Sequence, residues 1–172
     1  MGAFDFDVID FEPASAPAPG DRVPDFTRPY VTDEGWRDVA LSELAEDSLL
    51  LIFYPMNGSG KSLYTWEAAR ERGWTDAATV AGVSISQPFD QMRFVEEREL
   101  DCGIFSDPAN GVAEEYGIVH DVGGMAGISE PRPAAFLVDG ELMVERAWVA
   151  DEWPEQLPYD RIDGWLDQLA NS

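Results

Sequence analysis

The stretch that most constrains the fold is Leu49 to Trp66, which reads LLLIFYPMNGSGKSLYTW. Leu49 to Phe53 form a continuous apolar run, too short to cross a membrane and suited to a strand buried on both faces of a parallel or mixed sheet. Tyr54 and Pro55 end that strand, and Asn57 to Gly60 supply turn residues whose glycines tolerate positive φ. A helical pattern then runs from about Lys61 to Arg72. In an α/β protein a strand, a tight glycine-rich loop and a helix build a site: the NH groups of the loop and of the first helical turn lack internal partners and point at whatever lies beyond the strand end.

The rest of the chain extends this pattern. Residues 1–19 read as an accessory arm ahead of a domain at 20–172: Phe4, Phe6, Val8 and Phe11 alternate with acids as in a short edge strand, and PASAPAPG follows as a stiff linker. GDRVPDFTRPYVTDEGWRDVALSEL predicts two strands around the turn at Asp33, Glu34 and Gly35, then a helical turn opened by Ser42 with Glu43 inside it. A second buried strand is expected at Ala78 to Ser84, a helix from Pro88 to Leu100, a short strand from Cys102 to Phe105, and a turn at Ser106 to Pro108. A helix near Gly111 to Tyr116, a hairpin of Ala134–Val138 and Leu142–Trp148 across Asp139 and Gly140, and a last helix over about Tyr159 to Leu169 complete the order. Alternating strands and helices closed by a hairpin predict an α/β fold with a mixed sheet covered on both faces.

Charge narrows the partners. A formal net charge of -23 repels nucleic acid and anionic membranes. Its basic side comprises ten arginines and one lysine, Lys61, with acids spread along the whole chain, which reads as a surface adapted to high salt. Carboxylates this dense fall near one another by chance, so no acid/base dyad is nominated. The single cysteine, Cys102, excludes an intramolecular disulfide and a multi-cysteine metal site and suits a reducing cytosol. Neither metal nor cofactor is implied. Met1 to Gly20 lack a signal-peptide pattern, and a cytoplasmic location is expected.

Several segments, taken in order from about Gly20 to Leu169, resemble the peroxiredoxins of the alkyl hydroperoxide reductase and thiol-specific antioxidant type, within the thioredoxin-fold superfamily. GDRVPDF is similar to the family's opening, FYP followed by a seven-residue step to Ser62 to its active-site loop, and VAGVSIS to the next strand. FSDPANGVAEEYGI and FLVDGELMVERAWV resemble the segment and hairpin that follow. The resemblance implies a thioredoxin-like fold with N-terminal additions and thiol-dependent reduction of hydrogen peroxide or organic hydroperoxides by a thioredoxin-like electron donor. It also makes a homodimer plausible.

Aligned on Pro55, the family loop places Ser59 at its hydroxyl position and Ser62 where the peroxidatic cysteine belongs. Ser62 marks either a natural loss or an introduced replacement of that cysteine. Peroxide reduction needs a thiolate and a sulfenic acid, and a serine hydroxyl enters neither step. At the opposite wall the family arginine position holds Pro133, with Arg132 one residue earlier. Pro133 resembles the cis-proline of thioredoxins, and a cis peptide bond facing the loop is expected there.

Single residues carry competing readings. GSGKS at Gly58 to Ser62 has the look of a phosphate loop, but a Walker A motif needs glycine at the place of Pro55. Gly58, Gly60, Lys61 and the helix start can still hold a small anion such as chloride or sulfate. Lys61 leans towards function, because lysine is absent everywhere else. Cys102 reads as a small buried hydrophobe at the start of a strand, raised in pKa and inert, with a role as secondary thiol only if it approaches position 62. His120, in a region of loop character, lacks the second histidine of a metal cluster, and Trp66 and Trp74 read as core. Two functions are therefore expected: a peroxiredoxin-like protein inactive as given because of Ser62, or a non-catalytic binding or scaffold subunit with an anion-binding loop.

Overall fold

The computed structural model describes residues 9–58, 60–121, 126–153 and 155–171. The alternation at Phe4, Phe6 and Val8 lies outside them. In chain order, β1 (Ile9–Asp10) precedes the antiparallel pair β2 (Thr27–Thr32) and β3 (Gly35–Ala40), which turns at Asp33 and Glu34 and leads into α1 (Leu41–Leu44). The apolar run forms β4 (Ser48–Phe53), followed by α2 (Gly60–Glu71), α3 (Trp74–Ala77), β5 (Thr79–Ser84), α4 (Pro88–Glu97) and β6 (Gly103–Ser106). After α5 (Gly111–Glu115) a small two-stranded sheet pairs β7 (Val119–Asp121) with β8 (Ser129–Pro131). The hairpin of β9 (Ala134–Asp139) and β10 (Val144–Val149), the short β11 (Glu152–Trp153) and α6 (Tyr159–Ala170) end the chain.

Seven strands form one mixed sheet in the order β10-β9-β4-β5-β6-β2-β3, with β4, β5 and β6 parallel and their outer neighbours antiparallel. β4 is an inner strand, between β9 and β5, and both of its faces are covered. Leu49, Leu51 and Phe53 pack with Val39, Phe105, Tyr116 and Phe136 on one face. Leu50 and Ile52 join Trp66, Trp74, Phe94 and Trp165 on the other. A strand buried on both faces shows no period of two, and each such side chain contributes about 2 kcal/mol of apolar burial. Gly82 on β5 admits this packing: a Cβ there would lie 2.6 Å from the Trp66 ring, so only glycine lets α2 seat its indole on the sheet.

Some elements differ from the sequence expectation. α4 stops at Glu97 rather than Leu100. The turn of α1 is opened by Ala40, not Ser42; Ser42 turns its NH and hydroxyl back to Asp25 while Glu43 accepts the Ala40 NH. The bond that fixes this turn thus comes from a residue far upstream, which local capping rules do not see. β6 begins at Gly103, leaving Cys102 one residue before it and half-buried rather than inside a core strand. His120 belongs to β7 instead of a loop, its ring at 2.9 Å from Glu130 across the β7–β8 pair. Among the described residues no helix is long and apolar enough to cross a membrane.

Candidate active site

The register of the sheet decides what gathers beyond β4. Phe53 pairs with Val83 on one side and Ala134 on the other. Tyr54–Pro55, the stretch after Ser84, and Arg132–Pro133 therefore emerge at one end of the sheet. Pro55 and Pro133 are buried there, and the Pro133 carbonyl accepts the Ala150 NH at 2.9 Å.

A buried polar network shapes the loop above this end. The Tyr54 hydroxyl lies 2.8 Å from Asn57 Oδ1 and 3.0 Å from Gln91 Oε1, its one proton shared between two acceptors. Asn57 Nδ2 donates to Gln91 Oε1, Gln91 Nε2 donates to Ser84 Oγ at 2.7 Å, and the Asn57 NH donates to Ser86 Oγ. Gln91 is completely buried and joins α4, β5 and the loop through these bonds. Burial pushes the Tyr54 phenol far above its ordinary range, so it stays a neutral donor. Gly58 then takes φ +86°, a conformation that glycine adopts without strain, and redirects the chain into α2.

Ser62 stands in the first turn of α2 and is completely buried. No acidic residue lies in that turn. Its positive helix end therefore meets no carboxylate of its own. Gly60 and Lys61 open the helix, but the expected role of the Lys61 side chain lies outside the described residues, as does Ser59.

Arg132 follows β8, its NH donating to the Ile118 carbonyl at 2.8 Å. Its residue is 7% exposed, its Nε is without a hydrogen-bond partner among the described residues, and its guanidinium carbon lies 4.5 Å from the centre of the Phe11 ring. Burial lowers its pKa from the usual arginine range, opposed by the charges of Asp151 and Glu12. Among the described residues no carboxylate forms an ion pair with it, so this buried cation keeps in-plane donors for another group.

Cys102 lies at the other end. It precedes Gly103, which is level with Ala81 and hence with Leu51. Three residues of rise and two strand spacings separate it from Phe53 by about 14 Å, twice the roughly 7 Å between Cα atoms that a disulfide allows. The groove beside it is lined by Asp33, Asp76 and Asp101. Burial first, and then the charge of Asp101, push its thiol up to about 12. The structure thus brings Pro55, Ser62, Arg132 and Pro133 to one end of the sheet and leaves Cys102 apart.

Sequence reading missed Tyr54, Asn57, Ser84 and Gln91, which carry the network, and gave Phe11 no part in the site. One signal for this end was available: no residue between Asp47 and Glu67 is acidic, in a chain with 34 acids.

A parallel β4–β5–β6 core with an antiparallel hairpin on one side and α2 rising from the loop after β4 is a thioredoxin-like fold. The chain belongs to the AhpC/TSA family, whose sequence model matches residues 19–147. A putative peroxiredoxin of Haemophilus influenzae is 28% identical over 107 residues, 58% of this chain and 64% of that protein. Among solved structures, the peroxidoxin BcpB of Mycobacterium tuberculosis is 25% identical with a TM-score of 0.71, covering 90% of this chain and 97% of its own. A serine-for-cysteine variant of PrxQ from Xylella fastidiosa, 18% identical over 91% of this chain and 99% of its own, matches the fold with a TM-score of 0.74.

Proposed function

We propose that this chain is a peroxiredoxin-like protein that keeps the family's site but, as given, does not reduce peroxides. The observation that carries this reading is Ser62, a hydroxyl completely buried in the first turn of α2; the alignment of the loop on Pro55 supports reading it as the counterpart of the family's nucleophile. In peroxide reduction a thiolate sulfur takes the distal oxygen of ROOH, the O–O bond breaks, and RO⁻ leaves to take a proton; the sulfenic acid is then reduced by two further electrons from a thiol. Serine supplies no such sulfur. With cysteine at position 62, Pro55, Ser59 and Arg132 would frame the peroxide and a thioredoxin-like protein would return the electrons. Cys102 would be no resolving partner without a large rearrangement.

The orphaned Nε of Arg132 favours a second reading, a non-catalytic binding or scaffold subunit. There Gly58, Gly60, Lys61 and the start of α2, with Arg132 opposite, hold a small anion. In either reading the protein works in the cytoplasm at high salt, residues 1–19 form an arm on the domain at 20–172, and a homodimer is compatible with the fold.

Consumption of hydrogen peroxide and of an organic hydroperoxide, in high salt with dithiothreitol as donor, tests the first reading on the given chain, Ser62→Cys and Cys102→Ala. The given chain and Cys102→Ala are expected to be silent, and Ser62→Cys faster by about a hundredfold or more. Turnover by the given chain that Cys102→Ala abolishes would overturn the proposal. Silence from all three would leave the binding subunit as the better reading.

A further inference from the structure

The unexplained contact at this end of the sheet belongs to the N-terminal arm. β1 pairs antiparallel with β11, Ile9 opposite Trp153 and Asp10 opposite Glu152, and the Phe11 NH continues that ladder to the Asp151 carbonyl at 2.9 Å. The arm is also seated further along. Gly117, at φ +70°, lies so close beneath it that a Cβ would come within 2.8 Å of the Ser15 carbonyl oxygen, and Ala16 packs against the core. Phe11 is thus fixed from both sides. Its ring covers the Arg132 guanidinium at 4.5 Å and meets His120 at 4.9 Å, and His120 is itself held by Glu130.

A guanidinium can offer its face to a ring and its edge to acceptors, so a ring over its central carbon can leave the N–H donors to other groups. The Phe11 ring shields the group from water on that side. The neighbouring acids, Glu12 and Asp151, act on Arg132 through space without pairing with it. The outcome is a buried cation beneath a ring, whose Nε has no hydrogen-bond partner among the described residues.

We propose that Phe11 is a positioning residue: the arm's aromatic ring sets the plane of Arg132 so that its free edge receives a small oxyanion or the oxygens of a peroxide. This rests on the reading of the site given above. Removing the ring while keeping apolar bulk should free the guanidinium to rotate and to pair with Glu12 or Asp151, which compete with the ligand.

The test uses the full chain and inorganic sulfate as probe. Phenylglyoxal modification of Arg132, followed by peptide mass spectrometry across a sulfate titration at constant ionic strength, reads occupancy of the site without activity; modification of Arg72 serves as control. Sulfate is expected to protect Arg132 in the parent. Phe11→Leu is expected to raise the half-protecting concentration by about fivefold or more, and Phe11→Tyr, which keeps the ring, to stay within about twofold of the parent. Equal protection in the parent and Phe11→Leu, or a Phe11→Tyr variant as weak as Phe11→Leu, would overturn the role of the ring. Sulfate that fails to protect Arg132 even in the parent would overturn the oxyanion reading of the site and this inference with it.

Discussion

Position 62 and Cys102 belong to opposite ends of one sheet, and the two ends differ in what surrounds them. Beyond β4, Ser62 lies in a helix turn free of acids, below a loop tied by Tyr54, Asn57 and Gln91, at the end of the sheet from which Arg132 emerges with no ion pair among the described residues. At the other end Cys102 has Asp33, Asp76 and Asp101 around its groove and a thiol pushed up to about 12. One end is arranged to favour a negative charge and holds a group that rarely carries one. The other holds the only group able to become a thiolate, where a negative charge is opposed by burial and by the charge of Asp101. Reactivity in this protein is therefore a question of which side chain stands at which end, rather than of whether a thiol is present.

Three changes break or sharpen that contrast. The largest effect is expected for Gln91→Leu, which removes the hub of the network, takes the Gln91 partner from Asn57 Nδ2 and Ser84 Oγ, and leaves the Tyr54 hydroxyl with Asn57 Oδ1 alone. Urea denaturation should show a loss of about 2–3 kcal/mol. A variant as stable as the parent would mean that the network does not hold the loop.

Gly117→Ala forces a side chain into the left-handed region and against the Ser15 backbone. About 1–2 kcal/mol of stability should go. Faster hydrogen exchange over residues 11–16 should accompany it, and unchanged exchange there would show that the arm is not seated on Gly117.

Smallest is Cys102→Ala, with a stability change of about 1 kcal/mol or less, since the residue is only half-buried and outside the strand. In the native parent, Cys102 should react with a thiol reagent at pH 8 on the order of a thousandfold more slowly than free cysteine. A thiol with a pKa near 12 is almost wholly protonated there, and its thiolate fraction grows as pH rises towards that value. Rapid labelling without unfolding would erase the contrast between the two ends.

Much of this was legible in the chain. β4 with its loop and helix, the β2–β3 pair, β5, the closing hairpin and α6 all follow from apolar runs, turn residues and helical spacing, because those signals are local. So is the Gly58 turn. Tyr54 and Gln91, by contrast, are 37 residues apart, and a glutamine on a helix carries no sign of burial until the helix is docked. His120 looked like loop because β7 and β8 have only three residues each and are defined by their pairing rather than by composition. Phe11 was visible as an aromatic in an acidic arm, but its contact with Arg132 arises from the β1–β11 ladder, which sequence periodicity does not reveal. Ser62 was singled out through the family resemblance aligned on Pro55, and its place in the first turn of α2 follows from the short loop between them.

The most direct test of the central claim is the thiolate titration of a cysteine placed at position 62. In Ser62→Cys combined with Cys102→Ala, absorbance at about 240 nm followed against pH reports that one thiol. The helix start and the Arg132 cation predict a midpoint well below the roughly 8.5 of free cysteine. A midpoint at or above that value would contradict the claim that this end of the sheet is built to hold a negative charge.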